Sequence, residues 1–277
     1  MTEPTTIQPI GFHLGLSREW LVTAVSANLG EFLGTSAEDA LGQPITTLFS
    51  NDTIHDIRNR MALLRSEETV EHLFQFSLAD DGRAYDLAIY RNGNDFGIDA
   101  EPCGERGVGD ATGILEGMLS RVAPSDDIAQ LCDQACNQLR ALTGFHHVVI
   151  STSAGLQGQS VRAGAAPIDI QIASDDCDMV VFDRDAAAVP IHVTDKNGMP
   201  RRLTLRSPTD SEITRLEAMG ASAALILPLS RDGRAWGQAA CYHGTARHVS
   251  AERRNIARLF ASFMSLRIEI AELRRGA

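Results

Sequence analysis

The stretch from Leu216 to His248, LEAMGASAALILPLSRDGRAWGQAACYHGTARH, decides the fold. Gly220 follows the last periodic residue of a helix, where glycine takes the left-handed cap at little steric cost. Ala224 to Leu229 is an apolar run of buried-strand length. Arg231-Asp232-Gly233 supplies tight-turn chemistry, and Trp236 to Tyr242 returns as the partner strand. Working upstream, Phe145 to Ser151 reads as a further strand, preceded by helices over Ile114–Val122 and Ile128–Leu142. Downstream, Ser250 caps a helix that runs to Arg274. A sheet domain with flanking helices is expected around this hairpin.

The N-terminal third has a different rhythm. Phe12–Leu16 and Leu21–Ser26 suit a first hairpin, Asn28–Leu33 and Ala37–Leu41 suit helical turns, and Asn51–Arg65 is an amphipathic helix. Val70–Leu78, Arg83–Arg91 and Asp95–Glu101 then read as three strands joined at Asp80-Asp81-Gly82 and Asn92-Gly93-Asn94. The polar, glycine-rich Pro102 to Asp110 reads as a linker. Its Gly107-x-Gly109 lacks the strand-turn-helix setting that gives such spacing a phosphate-binding meaning.

With 277 residues the chain is long enough for two ordinary domains. A net charge of -11 disfavours nucleic acid and anionic membrane surfaces as partners. The five cysteines, Cys103, Cys132, Cys136, Cys177 and Cys241, have no metal-ligand spacing. Cys132 and Cys136 sit one helical turn apart and are expected to pack as small hydrophobes. No stretch reads as a signal peptide or a membrane span, so free thiols in a reducing cytoplasm are the expectation. His146 and His147 point to opposite faces of one strand and cannot ligate one ion together. No nucleophile elbow, metal triad or pair of carboxylates at catalytic spacing is present, so no enzymatic activity is expected. Asp175, Asp176, Asp178, Asp183 and Asp185 read as a solvated acidic loop.

The order MG, apolar strand, DGRxWG and xxACxH closely resembles the end of the GAF domain in bacterial phytochromes. Leu205-Arg206-Ser207-Pro208 and the helix from Ser250 fall where that family has them. Ile7-Gln8-Pro9-Ile10-Gly11, Val25-Ser26-Ala27-Asn28, Phe32-Leu33-Gly34 and Leu41-Gly42-Gln43-Pro44-Ile45 resemble the opening of the phytochrome PAS domain. The resemblance implies an α+β fold: a PAS-like antiparallel sheet over residues 1–104, a linker over 105–112, a GAF domain over 113–249 and a C-terminal dimerisation helix over 250–277.

In that family the GAF domain holds a linear tetrapyrrole, and the resemblance assigns pocket roles residue by residue. Arg206 stands where an arginine binds a propionate, and His243 where a histidine faces the D ring, with Tyr242 beside it. Glu212 takes the place of the other pocket histidine. Asp169 is a remnant of the tract that reads PASDIP in the family, while Ala224 and Ile226 replace propionate-binding serines. No cysteine precedes IQPIG, and Cys177 is followed by Asp178 rather than histidine, among acidic residues that disfavour a reactive thiolate. Covalent attachment is therefore not expected, and the cofactor is at most biliverdin held non-covalently in a degenerate pocket. Replacing polar pocket groups by alanine and isoleucine favours an apolar interior.

In the C-terminal helix, Ile256, Leu259, Phe263, Leu266, Ile270 and Leu273 alternate spacings of three and four, which is an a/d seam. Phe260 and Met264 widen the stripe toward the helix's own domain, and Arg253 and Arg254 are expected to face water. The expectation is a phytochrome-like sensory module acting as a homodimer through this helix, or through a downstream signalling partner. The expectation is of a module without the PHY domain that follows this helix in the family. The alternatives are a photoreceptor with non-covalent biliverdin, or a GAF sensor for another small ligand. The family's N-terminal knot would need Ile7 to Gly11 to reach a loop formed by Ala186 to Arg202.

Overall fold

A computed structural model of the chain describes residues 5–78, 82–104, 107–171, 178–194 and 199–276. Cys177, Asp175 and Asp176 lie outside the described residues. In chain order the elements begin with β1 (Thr6–Ile7), β2 (Phe12–Leu16), β3 (Val22–Ser26), α1 (Leu29–Leu33), α2 (Ala37–Ala40), α3 (Asn51–Met61), β4 (Val70–Ser77), β5 (Ala84–Asn92) and β6 (Asp95–Pro102). They continue with α4 (Ala111–Ser120), α5 (Ile128–Thr143), β7 (His147–Thr152), β8 (Gly155–Val161), β9 (Met179–Val181) and β10 (Val189–Val193). The last four are α6 (Asp210–Met219), β11 (Ala223–Arg231), β12 (Arg234–His243) and α7 (Ala251–Gly276).

The chain divides into two compact units, Met1–Gly107 with Ala186–Ser207, and Val108–Asp185 with Pro208–Ala277. The first unit is an antiparallel seven-stranded sheet in the order β1-β10-β3-β2-β6-β5-β4. Phe12, Leu14, Val25, Ile57, Tyr85 and Leu87 form the centre of its core. Helix α3 is capped by Ser50, whose hydroxyl accepts the Thr53 N–H. It ends at Met61, short of the expected Arg65.

The continuous GAF boundaries read from the sequence assign Ala186–Ser207 to the second domain, but this excursion packs with the first unit. Strand β10 pairs with β3 (Ile191 with Ser26, Val193 with Ala24) and with β1 (Ile7 with Val189). The returning limb holds the other side of the same N-terminal arm: Gln8 N–H donates to Leu205 O at 2.9 Å and Ser207 N–H to Thr6 O at 3.1 Å. Apolar burial accompanies this pairing, since Ile7, Leu203 and Leu205 are all buried. The arm thus lies between two limbs of one excursion, and the returning limb extends to Ser207, beyond the expected Arg202.

The second unit is an antiparallel five-stranded sheet in the order β8-β7-β12-β11-β9. Its central hairpin has Arg231 opposite Arg234, leaving Asp232 and Gly233 as a two-residue loop. Their φ angles of 48° and 68° suit the turn that matches strand twist, and Gly233 meets this demand without strain. Helices α5 and α7 pack on the sheet, α5 against β8 and β7 and α7 against β11. Side chains alternate along each strand, so Cys241 and Tyr242 project to opposite faces.

Candidate sensory site

The sheet face that meets α6 is lined by Val149, Val181, Ala224, Ile226, Ala240 and Tyr242, packed against Leu216 and Met219 of the helix. Ile168 and Ile170 pack against the same cluster. Their segment is stitched to the end of α6, with Asp169 N–H donating to Met219 O at 3.1 Å. Asp169 itself, between the two isoleucines, is exposed. The Tyr242 phenol is pushed up to about 12 by burial, against an opposing pull from the Arg215 guanidinium on α6. The face is therefore apolar with a phenol set into it, and the Arg215 guanidinium is near enough to act on that phenol electrostatically.

Glu212, which the resemblance sets in place of a pocket histidine, serves the cap of its own helix. It is buried in the first turn of α6, where its carboxylate accepts the Thr209 N–H at 2.8 Å while Thr209 Oγ1 accepts the Glu212 N–H. This is a capping box, and Thr209-Asp210-Ser211-Glu212 carries its signature in sequence.

His243 also departs from expectation. Residue parity separates it from Tyr242: Tyr242 stands opposite Ala224 and joins the α6 face, whereas His243 pairs with Ala223 and turns to the other face. There it packs edge-on to Phe145 and lies 4.0 Å between ring centroids from His146. Arg206 belongs to the first unit, where its backbone bridges to Ile7 and its Nη1 donates to Ser207 O at 3.3 Å. The structure thus gathers Tyr242, the Asp169 segment and the helix bearing Glu212, and it does not bring His243 to that face. Arg215 was missed because a single arginine in a helix reads as solvated surface.

The His146–His243 pair has its own electrostatics. Arg162 Nη1 donates to His146 Nε2 at 2.9 Å, so that nitrogen must carry the lone pair. His243 Nδ1 lies 3.0 Å from Thr245 O and 3.3 Å from Thr245 N, and its tautomer sets which of the two it bonds. Burial, with Arg162, Arg247 and the neighbouring imidazoles, lowers both pKa values below the ordinary 6.5. The folded state then binds fewer protons than the unfolded chain around and below pH 6.5, so this stabilisation is complete above 6.5 and is lost as pH falls. Denaturant melts from pH 8 to pH 5 are expected to show falling stability, with a shallower fall in the double variant His146→Gln, His243→Gln. An equal pH dependence in the two proteins would contradict this assignment.

Cys132, Cys136 and Cys241 are free, buried thiols, and burial pushes Cys132 and Cys241 up to about 12 and Cys136 higher still. Such thiols are poor nucleophiles. Cys103 is partly exposed and donates to Asp86 Oδ1 at 3.0 Å. Alkylation of the native protein at pH 8, read by peptide mass mapping, is expected to modify Cys103 before Cys132, Cys136 and Cys241, which react only on unfolding. Among the described residues no group of three or more His, Cys, Asp or Glu side chains is arranged to hold a metal.

Helix α7 carries two apolar faces. Ile256, Phe260, Met264 and Ile268 are buried against their own unit, whereas Leu259, Phe263, Leu266, Ile270 and Leu273 are 45, 44, 57, 49 and 68% exposed. The seam read from sequence is therefore outward except for Ile256, whose turn packs on the sheet. Arg254 does not face water: it is buried, its Nη1 donates to Val249 O, and its Cζ lies 5.0 Å over the Phe182 ring. Asp178, expected to be solvated, pairs with Arg258 of the same helix.

Residues 1–103 match the family model described as PAS fold, and residues 127–268 match the one described as GAF domain. The chain belongs to the GAF domain family. With its PAS fold it is a phytochrome-like PAS–GAF module. It is 24% identical over 295 residues to the phytochrome-like protein Cph1 of Synechocystis sp., covering 96% of this chain and 39% of that protein. The chain thus spans about two fifths of that relative's length.

Solved structures match the fold of this PAS–GAF module. The chromophore-binding domain of the Stigmatella aurantiaca bacteriophytochrome, a point mutant in the Pr state, gives a TM-score of 0.82 at 23% identity, covering 95% of each chain. The chromophore-binding domain of an unusual bacteriophytochrome from R. palustris gives 0.80 at 20% identity, covering 98% of this chain and 97% of that one. The photosensory core module of the Stigmatella aurantiaca phytochrome gives 0.84 at 22%, with 98% of this chain and 60% of that one covered. No helix among the described residues is long and apolar enough to cross a membrane.

Proposed function

We propose that the chain is a sensory and signal-transduction module whose output is carried by α7 as a parallel homodimer, with a sensory face that does not hold a bilin covalently. One observation carries this reading: five large apolar side chains at a/d spacing lie outward on α7, where a monomer would leave them in water. The module is not an enzyme in this reading, it works in the cytoplasm, and a downstream signalling protein reads its helix. Neither nucleic acid nor membrane is a partner. A Leu266→Cys variant tests the seam, because a d position faces its copy in a parallel pair. Mild oxidation is expected to give a covalent dimer at low micromolar protein, and a persistent monomer contradicts the seam.

A second reading keeps biliverdin as a non-covalent ligand. The observation favouring it is the Tyr242 hydroxyl in an otherwise apolar face, under the electrostatic pull of Arg215 on α6. The experiment is an absorbance titration with biliverdin, before and after red light, followed by denaturation. Binding predicts a red band that differs from free pigment and leaves the polypeptide on denaturation. A spectrum identical to free biliverdin removes this reading, and a GAF sensor for a smaller ligand takes its place.

A further inference from the structure

The tip of the central hairpin borders a groove that two β-bulges build. Leu229 pairs with Gly237 and Ser230 with Ala235, so Trp236 is an extra residue on β12. Likewise Ile150 pairs with Gly158 and Ser151 with Leu156, so Gln157 is an extra residue on β8. A bulge takes its residue out of the ladder and re-aims its side chain. Both extra residues line one groove of about 670 Å³, together with Arg231, Arg234 and Glu272 of α7. That is the size of a small-molecule site. Gly237 permits the close approach of the strands beside it, since a Cβ there would stand 2.3 Å from Ser151 O.

Charge indicates what the groove accepts. Arg231 and Arg234 are directly opposite each other across the ladder, where like charges repel. Arg231 donates to one oxygen of the Glu272 carboxylate, and the Trp236 indole N–H donates to the other at 3.2 Å. These two bonds, that of Arg231 foremost, hold the Glu272 carboxyl below its ordinary range. Asp232 in the turn also acts on Arg231. Arg234 is exposed and forms no ion pair among the described residues. The hairpin tip thus already holds one carboxylate through a guanidinium and an indole, and a second guanidinium opposite the first has none. Ile128, Ala154 and the indole give the groove apolar surface.

We infer that this groove is a binding site for a small aromatic carboxylate, with Arg234 taking the carboxylate and Trp236 the ring. The site lies within the second unit and depends on neither the bilin reading nor the dimer. Because Glu272 belongs to α7, occupancy reaches that helix. A carboxylate on Arg234 offsets its repulsion of Arg231 and so strengthens the hold of Arg231 on Glu272.

Titration of the full chain with benzoate at constant ionic strength, followed at the two tryptophan indole N–H resonances, tests the site. Trp20→Phe assigns the resonances. That of Trp236 is expected to shift saturably, with a dissociation constant on the order of 1 mM for a fragment of this size, while that of Trp20 stays in place. Benzamide keeps the ring without the charge, and acetate keeps the charge without the ring; each should bind about tenfold more weakly. Arg234→Gln, a change in an exposed turn that the fold tolerates, should weaken benzoate about tenfold. A Trp236 shift that does not saturate, or that is the same in Arg234→Gln, overturns the site. Benzamide or acetate binding as well as benzoate overturns the ligand class. With benzoate saturating, the amides of Ile270 to Leu273 are expected to exchange severalfold more slowly, and unchanged or faster exchange overturns the coupling to α7.

Discussion

Glutamate at both Leu266 and Ile270 is expected to leave a folded monomer. Both side chains are about half exposed on α7, so neither supports the fold of its own unit. Completing their burial in a two-fold dimer involves four side chains at roughly 1 kcal/mol each, half the value for full burial, or about 4 kcal/mol in total. Lost together, they raise the dissociation constant roughly a thousandfold before any charge repulsion is counted. Size-exclusion chromatography with light scattering checks the mass, and thermal melts of the dilute protein should stay within a few degrees of the wild type.

Phe260→Ala is expected to have the opposite signature. Phe260 is fully buried on the inner face of α7, so truncation removes its transfer free energy and leaves a cavity, at a cost of about 3–5 kcal/mol. Phe263, three residues further on and 44% exposed, should cost the monomer within about 0.5 kcal/mol when made alanine. Urea melts of the two variants in the Leu266→Glu, Ile270→Glu background separate fold from assembly. Equal losses would mean that α7 buries both faces within one chain.

The outward row on α7 was legible because a helix records its faces as a local period, and five of the six seam residues lie as that period predicts. Ile256 departs since its turn still packs on the sheet. The central hairpin was legible for the same local reason, with Asp232-Gly233 fixing a two-residue turn. Strands β8 and β9 escaped detection: GLQGQSV has no apolar alternation, and β9 has only three residues. Strand β10 depends on pairing with β3, more than 160 residues away, which no local pattern encodes.

Individual side chains departed from expectation for equally specific reasons. A family motif can place a histidine near a pocket, but strand parity decides which face it takes, and one residue separates Tyr242 from His243. Charge misled at Arg254 and Glu212, where a backbone carbonyl and a helix cap supply the partners that solvent would otherwise provide. The groove at the hairpin tip gave no signal, because Gln157, Trp236 and Glu272 come from three separate parts of the chain.

Sedimentation equilibrium of the wild-type chain at micromolar concentration is the most direct measurement of the central claim. The outward seam of α7 predicts a mass of two chains of 29.9 kDa that falls to one on dilution or on Leu266→Glu, Ile270→Glu substitution. A single-chain mass at every concentration up to a hundred times higher would contradict the claim that α7 carries the output as a dimer.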